Sequence, residues 1–260
     1  MSAPSVSRVV VTGASGGIGR AIARRFCDEG ARVVNLDRAD PTEAAALCGK
    51  NFSTVAVDLA DAADIARAFR EVDAAFGDAP DLLVCCAAMS VAADILAMTT
   101  ADFDRQFAVN VRGTFLCAQE AARRMKAVRR GQIVVITSVA AEQAWAGEPV
   151  YCMTKAAQRS LVQALAVELA PYGIRANAVG PGIIDHASQN MARTRDQGGV
   201  LQHDLDRTPM ARFGKPEEIA EAVAFTTRAT WMTGQTVYVD GGFLASGLAY
   251  FGERTAKLQA

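Results

Sequence analysis

The chain has 260 residues, 51% of them hydrophobic, and its 27 Lys and Arg against 28 Asp and Glu leave a formal net charge of −1. That length and apolar content suffice for a full hydrophobic core, so a single domain over 1–260 is expected. The scattered charges form no basic stripe for nucleic acid and no polybasic membrane patch; no apolar run approaches the ~18 residues of a spanning helix, and residues 1–8 lack a signal-peptide core, which together predict a soluble cytoplasmic protein. Six cysteines in apolar or helical settings read as reduced core thiols. His186 and His203 are too few and too separated to build a zinc site with them, so no metal is expected.

A β-branched strand at 8–12 runs into Gly13-Ala14-Ser15-Gly16-Gly17-Ile18-Gly19, and residues 20–29 follow with Ile22, Ala23, Phe26 and Cys27 at helical spacing. Strand, glycine loop and helix in that order suit a phosphate: glycines admit a tight turn and a close approach, and the helix N-terminus offers free N–H groups and the positive end of its dipole. A second strand at 32–36 ends on Asp37, which can accept hydrogen bonds from a ribose or serve as a plain turn residue. A third strand is predicted at 54–58, an Ala-rich amphipathic helix at 61–76, a fourth strand at 81–86 and a long helix at 100–125. Asn110 falls inside that helix, where its amide competes for backbone hydrogen bonds. A fifth strand ends at Ile136, with Ser138 just beyond; the helix predicted at 150–172 carries Tyr151 and Lys155 four residues apart, hence on one face. A phenol beside a cation can exchange a proton with an alcohol or carbonyl, and a nearby serine hydroxyl can hydrogen-bond the reacting oxygen. A sixth strand at 174–179, a polar lid-like stretch at 187–212, a helix opening at Lys215-Pro216, a seventh strand at 235–239 and an apolar tail at 243–260 complete the chain.

Thr12-Gly13-x3-Gly17-x-Gly19, Ser138 and Tyr151-x3-Lys155, with Asp58-Leu59, Asn110, Pro181-Gly182 and Val239-Asp240-Gly241-Gly242 in order, closely resemble the short-chain dehydrogenase/reductase family over about residues 6–245. The resemblance implies a single-domain Rossmann-type α/β fold: a doubly wound parallel sheet of about seven strands with helices on both faces. It implies Tyr151 as acid/base, Lys155 as the group that depresses its pKa and holds the nicotinamide ribose, Ser138 as the residue that orients the substrate oxygen, and Asn110 as support for a water relay to the lysine. For the dinucleotide it implies Gly13, Ser15, Gly17, Ile18 and Gly19 at the pyrophosphate, Asp37 and Arg38 at the adenosine ribose, and Asp58 and Leu59 beside the adenine. Cys86, Ala87, Ala88, Tyr151, Lys155, Pro181, Gly182 and Ile184 complete that set. The chain departs from the family where Asn-Asn-Ala-Gly is usual and Cys85-Cys86-Ala87-Ala88 stands, which removes a bracing amide at 86 and adds a methyl at 88.

On cofactor, Asp37 repels a 2′-phosphate and Gly16 replaces the basic residue frequent in NADP-preferring relatives, so NAD is expected over NADP; Arg38 is the contrary signal. Gln143, Trp145 and His186, with Ser138 and Tyr151, are the expected substrate contacts, and Glu142 is a further polar candidate. They suit a secondary alcohol or ketone on a small polar molecule such as a sugar, polyol or hydroxy acid. Two alternatives are a 3-oxoacyl-[acyl-carrier-protein] reductase-like NADPH enzyme and a non-catalytic dinucleotide-binding regulatory protein. The resemblance also implies a homo-oligomer, dimer or tetramer, packed through the helices at 100–125 and 150–172.

Overall fold

The computed structural model describes residues 6–185 and 205–246. Seven parallel strands form one sheet in the order β3-β2-β1-β4-β5-β6-β7: β1 Arg8–Thr12, β2 Arg32–Asp37, β3 Phe52–Ala56, β4 Leu82–Cys85, β5 Gly131–Ile136, β6 Ile174–Pro181 and β7 Thr236–Val239. A strand covered on both faces needs apolar side chains at odd and even positions alike, which is why β1 reads as an unbroken Val9-Val10-Val11. Val10, Val34, Leu83 and Val135 belong to one core with Phe69, Val72, Met125 and Val162, contributed by α3 (Ala62–Phe76), α5 (Thr114–Val128) and α6 (Pro149–Leu169). Val9, Val11, Val33, Val84 and Val134 belong to a second with Ile22, Phe26, Ile219 and Val223, from α1 (Gly17–Asp28) and α7 (Pro216–Arg228). The order of the strands reverses between β1 and β4, which pair directly, Val9 opposite Leu82. That switch opens a crevice at the carboxyl edge, where ligands of such sheets bind.

Local signals explain most boundaries. Asp61 caps α3 by accepting from the backbone N–H groups of Ala63 and Asp64, and Gly77 ends it in the left-handed region at φ 68°. Pro216 opens α7, and the Glu218 carboxylate accepts from the Lys215 N–H at 2.7 Å.

Three features differ from the sequence expectation. A short α2, Thr42–Cys48, lies between β2 and β3; it buries only Ala44 and Cys48, too few to show helical periodicity. β3 begins two residues earlier than predicted, leaving Asp58 beyond its end. The predicted long helix is α4 (Thr100–Gln106), a π-helical turn (Phe107–Gly113) and α5. Gly113 is required there, since a Cβ would stand 2.5 Å from the Leu59 carbonyl oxygen. All six cysteines are free thiols. No helix among the described residues is long and apolar enough to cross a membrane. The proposed lid lies outside the described residues at 187–204, and the tail at 247–260.

Arg175 on β6 secures the end of α7: its guanidinium donates to the carbonyls of Thr226, Thr227, Ala229 and Met232 and to Gln132 Oε1. These carbonyls include ones a helix C-terminus leaves without partners. Arg175→Met is expected to destabilise the protein by about 2–4 kcal/mol, at the rate of about 1 kcal/mol per lost hydrogen bond with partial rescue by water. Urea denaturation at pH 7 reads this as a lower midpoint with an unchanged slope.

Candidate active site

The glycine loop crosses the crevice with its backbone against neighbouring backbone. Gly13, at φ 78°, has Ala87 against the place of a Cβ, at 2.8 Å, and a methyl on Gly19 would fall on the Gly13 carbonyl oxygen. Gly16, by contrast, faces open space. It precedes α1 without a side-chain cap, so the first N–H groups of the helix are left for an anion. A residue the sequence reading missed holds the loop's shape: fully buried Asn35 accepts from the Ala14 N–H at 2.8 Å and donates to Ser15 Oγ at 3.1 Å. Its one signal was an amide among Val33, Val34 and Leu36 in the middle of a strand. Asp37 accepts from the Ser15 and Ala39 N–H groups, fixing its carboxylate at the crevice edge with Arg38 alongside.

Thr12 Oγ1 accepts from the N–H groups of both Cys86 and Ala87, so the backbone after β4 is anchored to β1 without an amide at 86. The Cys86 thiol lines the crevice, and burial pushes it up to about 12. Ala87 and Ala88 line the same wall. Asp58 Oδ1 accepts from the Ala60 N–H, turning the chain so that Asp58 and Leu59 border the crevice.

At the opposite wall Ser138, Tyr151 and Lys155 converge. Ser138 begins a single 3-10 turn, its Oγ accepting from the Ala140 N–H, and its hydroxyl lies near enough to the Tyr151 phenol to favour the ionised form. Buried Lys155 places Nζ 5.4 Å from the centre of the tyrosine ring and donates to the Ile136 carbonyl at 2.9 Å and to Gln158 Oε1 at 3.0 Å. Burial lowers the ammonium to about 8. It raises the phenol, and the Glu148 charge adds to that rise, while the Ser138 hydrogen bond opposes it. The resemblance implies a phenol drawn down by Lys155; in the free protein the largest influence on it is burial, which raises it. Asn110 lies on the π-helical turn, accepting from the Met89 N–H and donating to Met89 O and Thr154 Oγ1. Its own carbonyl accepts from Gln158 Nε2 at 2.6 Å.

The whole crevice measures about 760 Å³, and Pro181, Gly182 and Ile184 close its far side. A loop that excludes side chains, an uncapped helix end, a fixed carboxylate 22 residues beyond Ser15 and a lysine deep in the cleft are the features a dinucleotide requires, so the residues fit one. Among the described residues no group of three or more His, Cys, Asp or Glu gathers as metal ligands would.

Two of the expected substrate residues are elsewhere. Gln143 accepts from Arg207 at 3.1 Å, and Glu142 accepts from Arg159 at 2.8 Å and from the Tyr238 hydroxyl at 2.5 Å, so neither lines the crevice. Both sit in a loop whose direction residue spacing does not determine. Trp145 does line it, 6.1 Å from the Phe243 ring, with its buried indole N–H unmatched among the described residues. His186 lies outside the described residues. The acid of this loop that does line the cleft is Glu148, whose carboxylate accepts from Ser90 Oγ at 3.1 Å; the sequence reading passed over it as a loop residue.

Residues 13–244 match the family model described as Enoyl-(acyl carrier protein) reductase. The chain is 37% identical to L-xylulose reductase of Bos taurus, covering 92% of this chain and 97% of the relative, and 34% identical to (3R)-3-hydroxyacyl-CoA dehydrogenase of Canis lupus familiaris, covering 90% and 94%. It is similar to the solved structure of ElxO with NADP bound, with TM-score 0.84, 28% identity and coverage of 92% and 99%.

The cradle geometry separates two neighbouring glycines. Gly19→Ala is expected to cost about 1–3 kcal/mol from overpacking, whereas Gly16→Ala leaves stability almost unchanged. Thermal melts of the two variants side by side check the contrast.

Proposed function

The chain belongs to the short-chain dehydrogenase/reductase family, oxidoreductases acting on CH–OH groups, and from that premise we propose reversible hydride transfer between NAD and a secondary alcohol or ketone on a small polar molecule. The observation that carries the reading is the meeting of the Tyr151 phenol, Ser138 hydroxyl and Lys155 ammonium in one cleft with the glycine cradle. A nicotinamide bound there supplies the hydride acceptor or donor. In oxidation Tyr151 accepts the proton of the substrate hydroxyl; in reduction it returns one to the carbonyl oxygen. Ser138 hydrogen-bonds the same oxygen and keeps it within reach of the phenol. Lys155, through the N–H it does not donate to protein, holds the ribose hydroxyls, and Asn110 braces the wall behind it.

Asp37 supports NAD, because its carboxylate is fixed where a 2′-phosphate would meet it. Arg38 at the same edge, and the NADP of the ElxO structure, favour NADP as the second reading. Glu148 and Ser90 support a hydroxyl-bearing substrate, since a carboxylate and a hydroxyl beside the phenol can accept and donate to sugar or polyol oxygens. L-xylulose reductase as a relative is consistent with that class. Exposed Phe115, Met153 and Val167 on α5 and α6 support a homo-oligomer packed through these helices.

Tyr151→Phe is expected to lower kcat by about 10²–10⁴-fold while dinucleotide affinity stays within a small factor. Absorbance of the reduced nicotinamide, read over a panel of polyols and ketoses, checks the first part and calorimetry the second; near-normal turnover would overturn the reading. Asp37→Ala is expected to weaken NAD more than NADP, which titration with both dinucleotides measures. Because burial holds the proton on Tyr151 above its ordinary pKa of 10, oxidation should rise with pH through the alkaline range while reduction falls off only at its upper end.

A further inference from the structure

Gln158 stands one helical turn beyond Lys155 on α6, and all the hydrogen-bonding groups of its side chain are engaged. Oε1 accepts from the Lys155 ammonium at 3.0 Å, and Nε2 donates to the Asn110 carbonyl at 2.6 Å and to Thr114 Oγ1 at 2.9 Å. Gln158, Asn110 and Thr114 are buried, at 1%, 0% and 5% exposure, so these bonds are made out of water, where each counts for more. The amide is polarised in one sense: donation at both N–H groups increases the negative charge on the oxygen that faces the ammonium. With the Ile136 carbonyl as second acceptor, two of the three ammonium N–H groups are committed among the described residues, which leaves the third for the cleft that Lys155 lines.

We propose that Gln158 is a positioning residue for the lysine, its amide fixing the direction of the free N–H towards the cleft and sustaining the ammonium charge in a place with no carboxylate partner. The proposal rests on the oxidoreductase reading for its consequence in turnover, but not for the amide–ammonium interaction itself. The titratable groups around the ammonium are Tyr151 on its own helix and Cys86 after β4, with Glu148 acting on Tyr151 and Asp37 on Cys86. The π-helical turn and the start of α5 contribute the neutral Asn110 and Thr114. Gln158 therefore supplies a dipole where no opposite charge stands. Part of the desolvation cost remains, consistent with the ammonium at about 8.

The test is an NMR titration of ε-¹³C-lysine protein without dinucleotide, on the wild type, Q158E and Q158M. Lys155 should titrate near 8 in the wild type. It should move up by about 1–3 units in Q158E, where a carboxylate meets the ammonium, and down in Q158M, where an acceptor is lost. In the wild type the Gln158 side-chain ¹⁵N–H₂ signals should shift with the same midpoint as Lys155. A Lys155 midpoint unchanged in folded Q158E overturns the proposal. If neither variant folds, wild-type Gln158 signals that ignore the lysine titration overturn it. Absence of turnover with every alcohol and ketone, beside the expected titration shifts, counts against the proposed reaction and leaves this inference standing.

Discussion

An ammonium taken out of water must be met by acceptors, and the floor of the crevice is arranged around that requirement at Lys155. One acceptor is the carbonyl of Ile136, the last residue of β5; the other is the side chain of Gln158. Three otherwise separate details are thereby tied together: where β5 stops, where α6 begins at Pro149, and the register of the π-helical turn that presents Asn110 O to Gln158. Moving any of them by one residue would strand a buried charge or a buried amide, at a cost of about 1–3 kcal/mol or more. A π-helical turn lengthens the loop between hydrogen-bonded residues, and such turns concentrate at functional sites.

Tyr151 feels the same lack of solvent. Its phenol keeps its proton because burial disfavours the anion, and Glu148 nearby strengthens that preference. The cleft of the free protein is therefore set with an acid at the phenol, a cation in the floor and an anion at Glu148. Glu142 and Gln143 take no part, being engaged with Arg159, Tyr238 and Arg207 on the flank. Beside the replacement at 86 stands Thr12, whose single hydroxyl oxygen accepts the backbone N–H groups of Cys86 and Ala87, while Cys86 lines the cavity.

The sheet was legible in the sequence because central parallel strands need apolar residues on both faces, and runs such as Val9-Val10-Val11 and Ile133-Val134-Val135-Ile136 have few other uses. Ser138, Tyr151 and Lys155 were read as a set because the glycine loop, Asp37, Asn110 and Pro181-Gly182 accompany them in order; the four-residue spacing of Tyr151 and Lys155 alone carried little weight. What escaped detection depends on distance along the chain. Asn35 acts on a loop about twenty positions earlier, and Gln158 on a carbonyl 48 positions earlier. No local pattern marks either partner. α2 escaped because a helix with two buried residues carries almost no periodicity, and the π-helical turn because its repeat differs from the 3.6 by which helices are read.

The pairing of β1 with β4 has a further consequence, for the order in which the cleft comes into being. β1, β2 and β3, with the glycine loop and Asp37, lie within the first 56 residues and pair with one another. Ser138, Tyr151 and Lys155 join them only when β4, about 70 residues beyond β1, docks against it and brings β5 and β6. During synthesis the phosphate-cradling half emerges first, and the proton-handling half is added to it afterwards. Closing so long a loop is slow compared with local helix formation. The central seam of the sheet is thus also the joint at which the two sides of the cleft meet, and both cores run across it.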